Sequence, residues 1–222
     1  MSTAYPDRSF DRMDESDDSL FYNEPRLLTH IDHEAIALLG DIFQEVLPTK
    51  PRILDLMSSW RSHLPEGLRK QNMIGLGLNA IEMEDNPQLD SYVVHDLNIN
   101  PKLPFKDESF DATLLTVSVQ YLVQPVDVFK EVSRIMTDGG PLVITFSNRM
   151  FPTKAVRIWQ ACDDLQRMSL VKSYIQQTRA FHDIYSADRS RWMGYYTDPM
   201  FLVVGRKSTV TSKPEQENIK HI

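Results

Sequence analysis

The reading turns on residues 103–146. Leu103-Pro104-Phe105-Lys106-Asp107-Glu108-Ser109-Phe110-Asp111 leads into Ala112-Thr113-Leu114-Leu115-Thr116-Val117. Phe110 to Val117 is a continuous run with an apolar centre, the pattern of a strand covered on both faces. Val126 to Met136 comes next, with Val128, Phe129, Val132, Ile135 and Met136 on one helical stripe, and Gly139-Gly140 stops it. Pro141-Leu142-Val143-Ile144-Thr145-Phe146 is then a further buried strand. Strand, helix and strand in this order form a βαβ unit, which implies a parallel pair with a right-handed crossover.

Working outward, the same alternation continues. Asp32 to Leu47 reads as a helix capped by Asp32 and ended by Pro48 and Pro51. Arg52 to Met57, Gln71 to Leu78 and Ser91 to His95 read as three earlier strands. Ala155 to Arg179 reads as helical, with a break near Ser169. Phe181 to Tyr185 and Met200 to Arg206 read as two late strands with no full helix between them, so an antiparallel edge is expected. The fold class is α/β, with a mostly parallel sheet between helical layers. Residues 1–19 are polar and charge-rich and are expected to be disordered. Residues 20–50 form an N-terminal segment with a helix, 51–207 the α/β domain, and 208–222 a flexible tail.

The chain has 222 residues and a formal net charge of -7. That balance disfavours a general nucleic-acid binder. The one cysteine, Cys162, allows no internal disulfide, and the histidines lack metal-ligand spacing, so no metal site is expected. The chain shows no apolar run long enough to span a membrane and no signal peptide, and a cytoplasmic setting follows.

In an open parallel sheet the ligand lies beyond the carboxyl ends of the strands. The first strand ends at Asp55 and runs into Met57, Ser58, Ser59 and Trp60. The third ends at His95, Asp96 and Leu97, and the fourth at Thr116, Val117 and Ser118. Small hydroxyl residues let backbone approach a ligand. Asp96 offers an acceptor for an exocyclic amine, with Leu97 against an apolar ring.

The succession of an acid, L-P-F-x-x-x-S-F-D, a K-E-x-x-R helix (Lys130 to Arg134) and a Gly-Gly strand closely resembles the class I S-adenosylmethionine-dependent methyltransferases, in particular the type 11 branch. Asp198-Pro199-Met200 to Lys207 resembles that family's final strand. The resemblance implies a Rossmann-like three-layer α/β/α sandwich with seven strands in the order 3-2-1-4-5-7-6, strand seven antiparallel. It implies S-adenosylmethionine as cofactor and methyl transfer as the reaction. The cofactor-binding residues would be Asp55, Met57, Ser58, Ser59, Asn79, Asp96, Leu97, Thr116, Val117 and Ser118. Two departures stand out. The first loop has no glycine where the family has D-x-G-x-G, and Gly77 stands where the family places an acid for the ribose, leaving Asn79, Glu82 or Glu84 to serve.

The stretch Phe21 to Asp32 carries more aromatic and polar groups than a lead-in helix needs. The resemblance implies that this part of residues 20–50 forms a lid over the pocket, which makes Tyr22 and Arg26 substrate-pocket candidates, as are Gln120 and Asn148 on the strand-end rim. His30 and Tyr121 are the catalytic candidates, His30 as a general base. The acceptor is expected to be a small molecule, with a protein acceptor left open. One alternative is a partner protein of methyltransferase shape without catalysis. Another is an NAD(P)-binding oxidoreductase, because Gly75-x-Gly77-x-x-Ala80 satisfies the nominal dinucleotide fingerprint.

Overall fold

A computed structural model describes residues 5–209 of the protein. The elements in chain order are α1 (Asp18–Phe21), α2 (His33–Val46), β1 (Arg52–Leu56), β2 (Asn72–Gly77), α3 (Ala80–Glu84), β3 (Ser91–Val94) and β4 (Ala112–Thr116). They continue with α4 (Pro125–Ile135), β5 (Pro141–Phe146), α5 (Arg157–Gln160), α6 (Asp164–Thr178), β6 (Phe181–Asp188) and β7 (Phe201–Lys207). The strands form one seven-stranded sheet in the order β3-β2-β1-β4-β5-β7-β6. β7 runs antiparallel to both β5 and β6, and the other pairs are parallel.

Period-two alternation builds the two cores. Leu54, Leu56, Leu115, Ile144, Phe146 and Val203 face α4, α5 and α6. Ile53, Met73, Leu114, Val143, Leu202 and Val204 face α2. Every one of these side chains is buried, as expected of central strands covered on both sides.

The segment that decided the fold acts as a clamp. Arg134 on α4 donates to the carbonyls of Leu103 (3.0 Å) and Phe105 (2.9 Å) and to Asp107 (2.7 Å). Its neighbour Glu131 accepts from the Leu103 backbone N–H at 3.0 Å. Asp111 accepts from the Arg52 backbone N–H (2.9 Å) and from its guanidinium (2.8 and 3.0 Å), which fixes where β1 and β4 start. Arg52 holds the Asp111 carboxyl down to about 2. Asp198 and Asp32 exchange backbone-to-carboxylate bonds at 3.0 and 2.6 Å, joining the start of α2 to that of β7.

Two expectations are corrected. The helix over residues 155–179 breaks at 161–163, not near Ser169, because Asp163 caps a new helix through a capping box with Gln166. Residues 5–19, expected to be disordered, are packed. Backbone bonds tie Ser9, Asp11 and Asp14 to Ile158, Arg157 and Thr153. Tyr5 and Phe10 set their rings against Tyr174. The charges turn inward. Lys154 is fully buried between Asp14 and Asp18, both at 3.1 Å, and Arg12 reaches Asp18 at 2.7 Å. The expected tail lies outside the described residues from 210 onward.

Arg134→Ala should lower the unfolding free energy by about 1–3 kcal/mol, seen as a lower urea midpoint. An unchanged midpoint would show that the 103–107 loop needs no clamp.

Candidate functional site

β1 ends in a buried acid. The Asp55 carboxylate is covered by residues 57–62 and accepts from the Ser58 and Ser62 hydroxyls, each at 2.6 Å. Burial pushes this carboxyl up to about 6, against the pull of the two hydroxyls. Asn86 holds the same loop, donating to the Ser59 carbonyl and the Ser62 hydroxyl, both at 2.9 Å. The loop keeps a left-handed turn without glycine. Met57 takes φ 56° at the position of the family's first glycine, a conformation costing about 1–2 kcal/mol for a residue with a Cβ.

The missing acid at the end of β2 has a steric cause. A Cβ built on Gly77 would stand 2.2 Å from the Ser58 carbonyl oxygen. The Ser58 N–H donates to the Leu76 carbonyl at 2.8 Å, so the loop lies directly on β2. The same geometry removes the dinucleotide fingerprint. Gly75 and Gly77 lie inside β2, not in a turn, and the spaces beside them are filled by Leu89 and by Ser58. The following α3 is five residues long. No pyrophosphate cradle forms there.

The ends of β1 to β4 open into a cavity of about 340 Å³, within the ordinary range of roughly 300–1,000 Å³ for small-ligand sites. Asp55, Met57, Ser58, Ser59, Asn79, Asp96, Leu97, Thr116, Val117 and Ser118 all line it. Residues 22–31 roof it, placing Tyr22, Arg26 and His30 over the strand ends. The roof is tied down at several points. Asn79 donates to the Tyr22 carbonyl (2.8 Å), Trp60 to the Leu28 carbonyl (2.8 Å), and the Arg26 N–H donates to Glu82 (2.7 Å).

Several candidate side chains turn out to be engaged by the protein. Ser58 gives its hydroxyl to Asp55 and Ser59 gives its own to Glu82 (2.5 Å). Asn79 caps α3 through Glu82 N and supports the roof, so its amide is already used. Asp96 Oδ1 accepts from Asn98 N (2.8 Å), whereas Oδ2 has no partner among the described residues. Val117 adopts φ 51°, strained for a β-branched residue, and its N–H is held by the Thr145 carbonyl at 2.8 Å.

His30 sets its ring edge-on to Phe151, with centroids 5.1 Å apart, and has no hydrogen-bond partner among the described residues. Burial lowers its pKa, and the Arg26 charge lowers it further. His63, also at the wall, is pushed down to about 4 by burial, with Arg61 adding to the effect.

Three expectations change here. Tyr121 lines the cavity, but its oxygen accepts from Phe151 N at 2.9 Å, and burial raises its pKa. A phenol kept protonated is no base, so Tyr121 positions the 149–151 loop. Gln120 is fully buried behind the cavity, donating to the Val117 carbonyl at 3.0 Å. Asn148 lies exposed outside it, where it donates to the Tyr196 hydroxyl at 3.4 Å. The cavity residues not foreseen include Arg61, Asn98, Met150, Phe151 and Asp18; Asp18 is visible only once Arg12, Asn98 and Lys154 converge on it.

With this geometry in place, comparison with known proteins adds a family match over part of the chain. Residues 72–144 match the model of a methyltransferase domain. The resemblance to class I methyltransferases is borne out. That segment runs from β2 through β5, and the strand order carries the methyltransferase fold to the strands on either side.

No curated protein matches the chain. Among solved structures, a SAM-dependent methyltransferase from Thermotoga maritima superposes at TM-score 0.54 with 18% identity, over 78% of this chain and 90% of that one. The PH0226 protein from Pyrococcus horikoshii gives 0.54 and 14%, over 78% and 89%. The [4+2]-cyclase SpnF gives 0.55 and 14%, over 77% and 80%. At these identities the likeness is one of methyltransferase fold, and the cyclase shows that the fold alone does not fix the reaction. Among the described residues no helix is long and apolar enough to cross a membrane.

Gly77→Ala should destabilise the protein by about 1–3 kcal/mol, because a new Cβ meets fixed backbone. Gly75→Ala should cost less, since its neighbour is the flexible end of Leu89. Equal losses in chemical denaturation would mean that the loop does not rest on β2. A second outcome concerns pH. The folded Asp55 holds its proton up to about 6 and the unfolded one to about 4, so stability should fall as pH rises between those values. The fall should reach at most about 3 kcal/mol, and Asp55→Asn should flatten it. An unaltered slope in Asp55→Asn would assign the titration elsewhere.

Proposed function

We propose that the cavity binds S-adenosylmethionine and that the protein transfers its methyl group to a small-molecule acceptor. The observation carrying this reading is the convergence of the β1, β3 and β4 ends on one roofed cavity, in the order typical of methyltransferases.

The residues present fit such a ligand. Asp96 Oδ2 is an unpartnered acceptor for the adenine amine, and buried Leu97 offers an apolar surface to the ring. The Thr116 and Ser118 hydroxyls lie buried without partners at the end of β4, where orphaned polar atoms mark a place for a polar ligand. Met57 to Ser59 line the cavity and would hold the amino-acid end. When bound, the cofactor supplies a methyl group on a sulfonium, which a nucleophile takes in line.

The protein's own part is positioning and exclusion of water. Residues 22–31 cover part of the cavity and so limit its contact with solvent. His30, whose pKa partial desolvation and the Arg26 charge lower, accepts a proton where the acceptor must lose one. A small acceptor suits a roofed cavity and an acidic chain better than a polyanion does. The inward-turned Ser58 and Ser59 hydroxyls favour a second reading, a partner protein that keeps the shape without the reaction.

Calorimetry with S-adenosylhomocysteine and with NADH separates these readings. The former should bind and the latter should not, and Asp96→Ala should weaken the former by about 1–3 kcal/mol. Full affinity in a folded Asp96→Ala removes Asp96 from the adenine, and no binding to the wild type leaves the partner reading.

A further inference from the structure

Three arginines line the cavity. Arg61 reaches Asp85 at 3.4 Å and Arg149 reaches Asp198 at 2.6 Å. Arg26 has no carboxylate partner among the described residues. Its guanidinium lies over the rings of Phe21, Phe151 and Tyr22, at 4.5, 5.3 and 5.5 Å from their centroids. Its Nη2 donates to the Phe21 carbonyl at 2.8 Å, and its Nη1 is buried with no partner.

Aromatic faces lower the cost of taking a cation out of water, but they do not satisfy its N–H donors. The rings also hold the guanidinium plane fixed, which suits the forked geometry of carboxylate binding. Glu82 is committed to the Arg26 backbone N–H and to Ser59, and Asp18 to Arg12 and Lys154. The charge therefore sits in the cavity lining without a counter-ion among the described residues. We propose that Arg26 is the receptor for a ligand carboxylate. The inference rests on the cavity being a ligand site, as argued above. It adds the chemistry of one recognised group, carried either by the amino-acid end of the cofactor or by the acceptor.

The test uses the full chain, with Arg26→Met keeping the packing on the rings and Arg26→Lys keeping the charge. Calorimetry compares S-adenosylhomocysteine with methylthioadenosine, which lacks the amino-acid end. Ligand-detected NMR compares benzoate with its neutral isostere benzamide, with and without S-adenosylhomocysteine. If the cofactor supplies the carboxylate, Arg26→Met binds S-adenosylhomocysteine at least tenfold more weakly, binds methylthioadenosine unchanged, and Arg26→Lys recovers part of the loss. If the acceptor supplies it, S-adenosylhomocysteine binding stays within twofold, while benzoate is preferred over benzamide in the wild type and lost in Arg26→Met.

Carboxylate ligands binding Arg26→Met and wild type equally would overturn the proposal. If Arg26→Met does not fold, the wild-type preference for carboxylate over neutral isostere decides, and no preference overturns it. Failure of both nucleosides to bind counts against the cofactor reading alone, because the benzoate comparison still tests Arg26.

Discussion

Asp55 ends β1 with its carboxylate out of water and under two serine hydroxyls. The ligand end of the molecule depends on this arrangement. The hydroxyls pull the 57–62 loop down onto β2, which forces the Ser58 carbonyl against Gly77 and leaves no room for a side chain there. The same loop presents Ser59 to Glu82, and Glu82 in turn holds the Arg26 backbone. One buried acid thus sets the path of the first loop, the identity of the residue ending β2, and an anchor of the roof. Glycine-rich loops reach a ligand through permissive backbone. Here side-chain hydrogen bonds impose the path instead, at the cost of a left-handed Met57.

The architecture was legible in the sequence because the residues that carried the reading are structural. Glu131 and Arg134 clamp residues 103–107, Asp111 pins β1 to β4, and Asp198 joins β7 to α2. Each depends on specific side chains at fixed spacing, so each leaves a pattern in the chain. The strand ends that line the cavity were legible for the same reason. Once the strands are placed, Asp55, Asp96 and Thr116 must lie on one rim.

What escaped the reading depends on contacts between distant segments. The polar composition of residues 5–19 suggests disorder, but Asp14 and Asp18 pair with Lys154, some 140 residues away. No local pattern announces that pairing. Gln120 and Asn148 sit next to cavity residues in sequence, yet a single turn after β4 directs Gln120 into the core, and Asn148 points to Tyr196. Tyr121 has the right place and the wrong state, since its oxygen is taken by Phe151 N. Position along the chain fixes which rim a residue belongs to, and the bonds it makes there decide whether any chemistry is left to it.

The distribution of unfavourable features supports a binding role for this rim. A β-branched residue in the left-handed region, a methionine in the same region, a carboxyl raised by burial and unpartnered hydroxyls on Thr116 and Ser118 all lie at the carboxyl ends of β1 and β4. At the opposite ends of these strands Arg52 and Asp111 are paired, while Lys50 and Glu108 take left-handed backbone and the Thr113 hydroxyl is buried without a partner among the described residues. Each such feature costs on the order of 1–3 kcal/mol. What sets the carboxyl ends apart is that Asp55, Met57, Thr116, Val117 and Ser118 all line the cavity, where a bound ligand would meet them. The counter-ion that Arg26 lacks, at the roof of the same cavity, fits that logic.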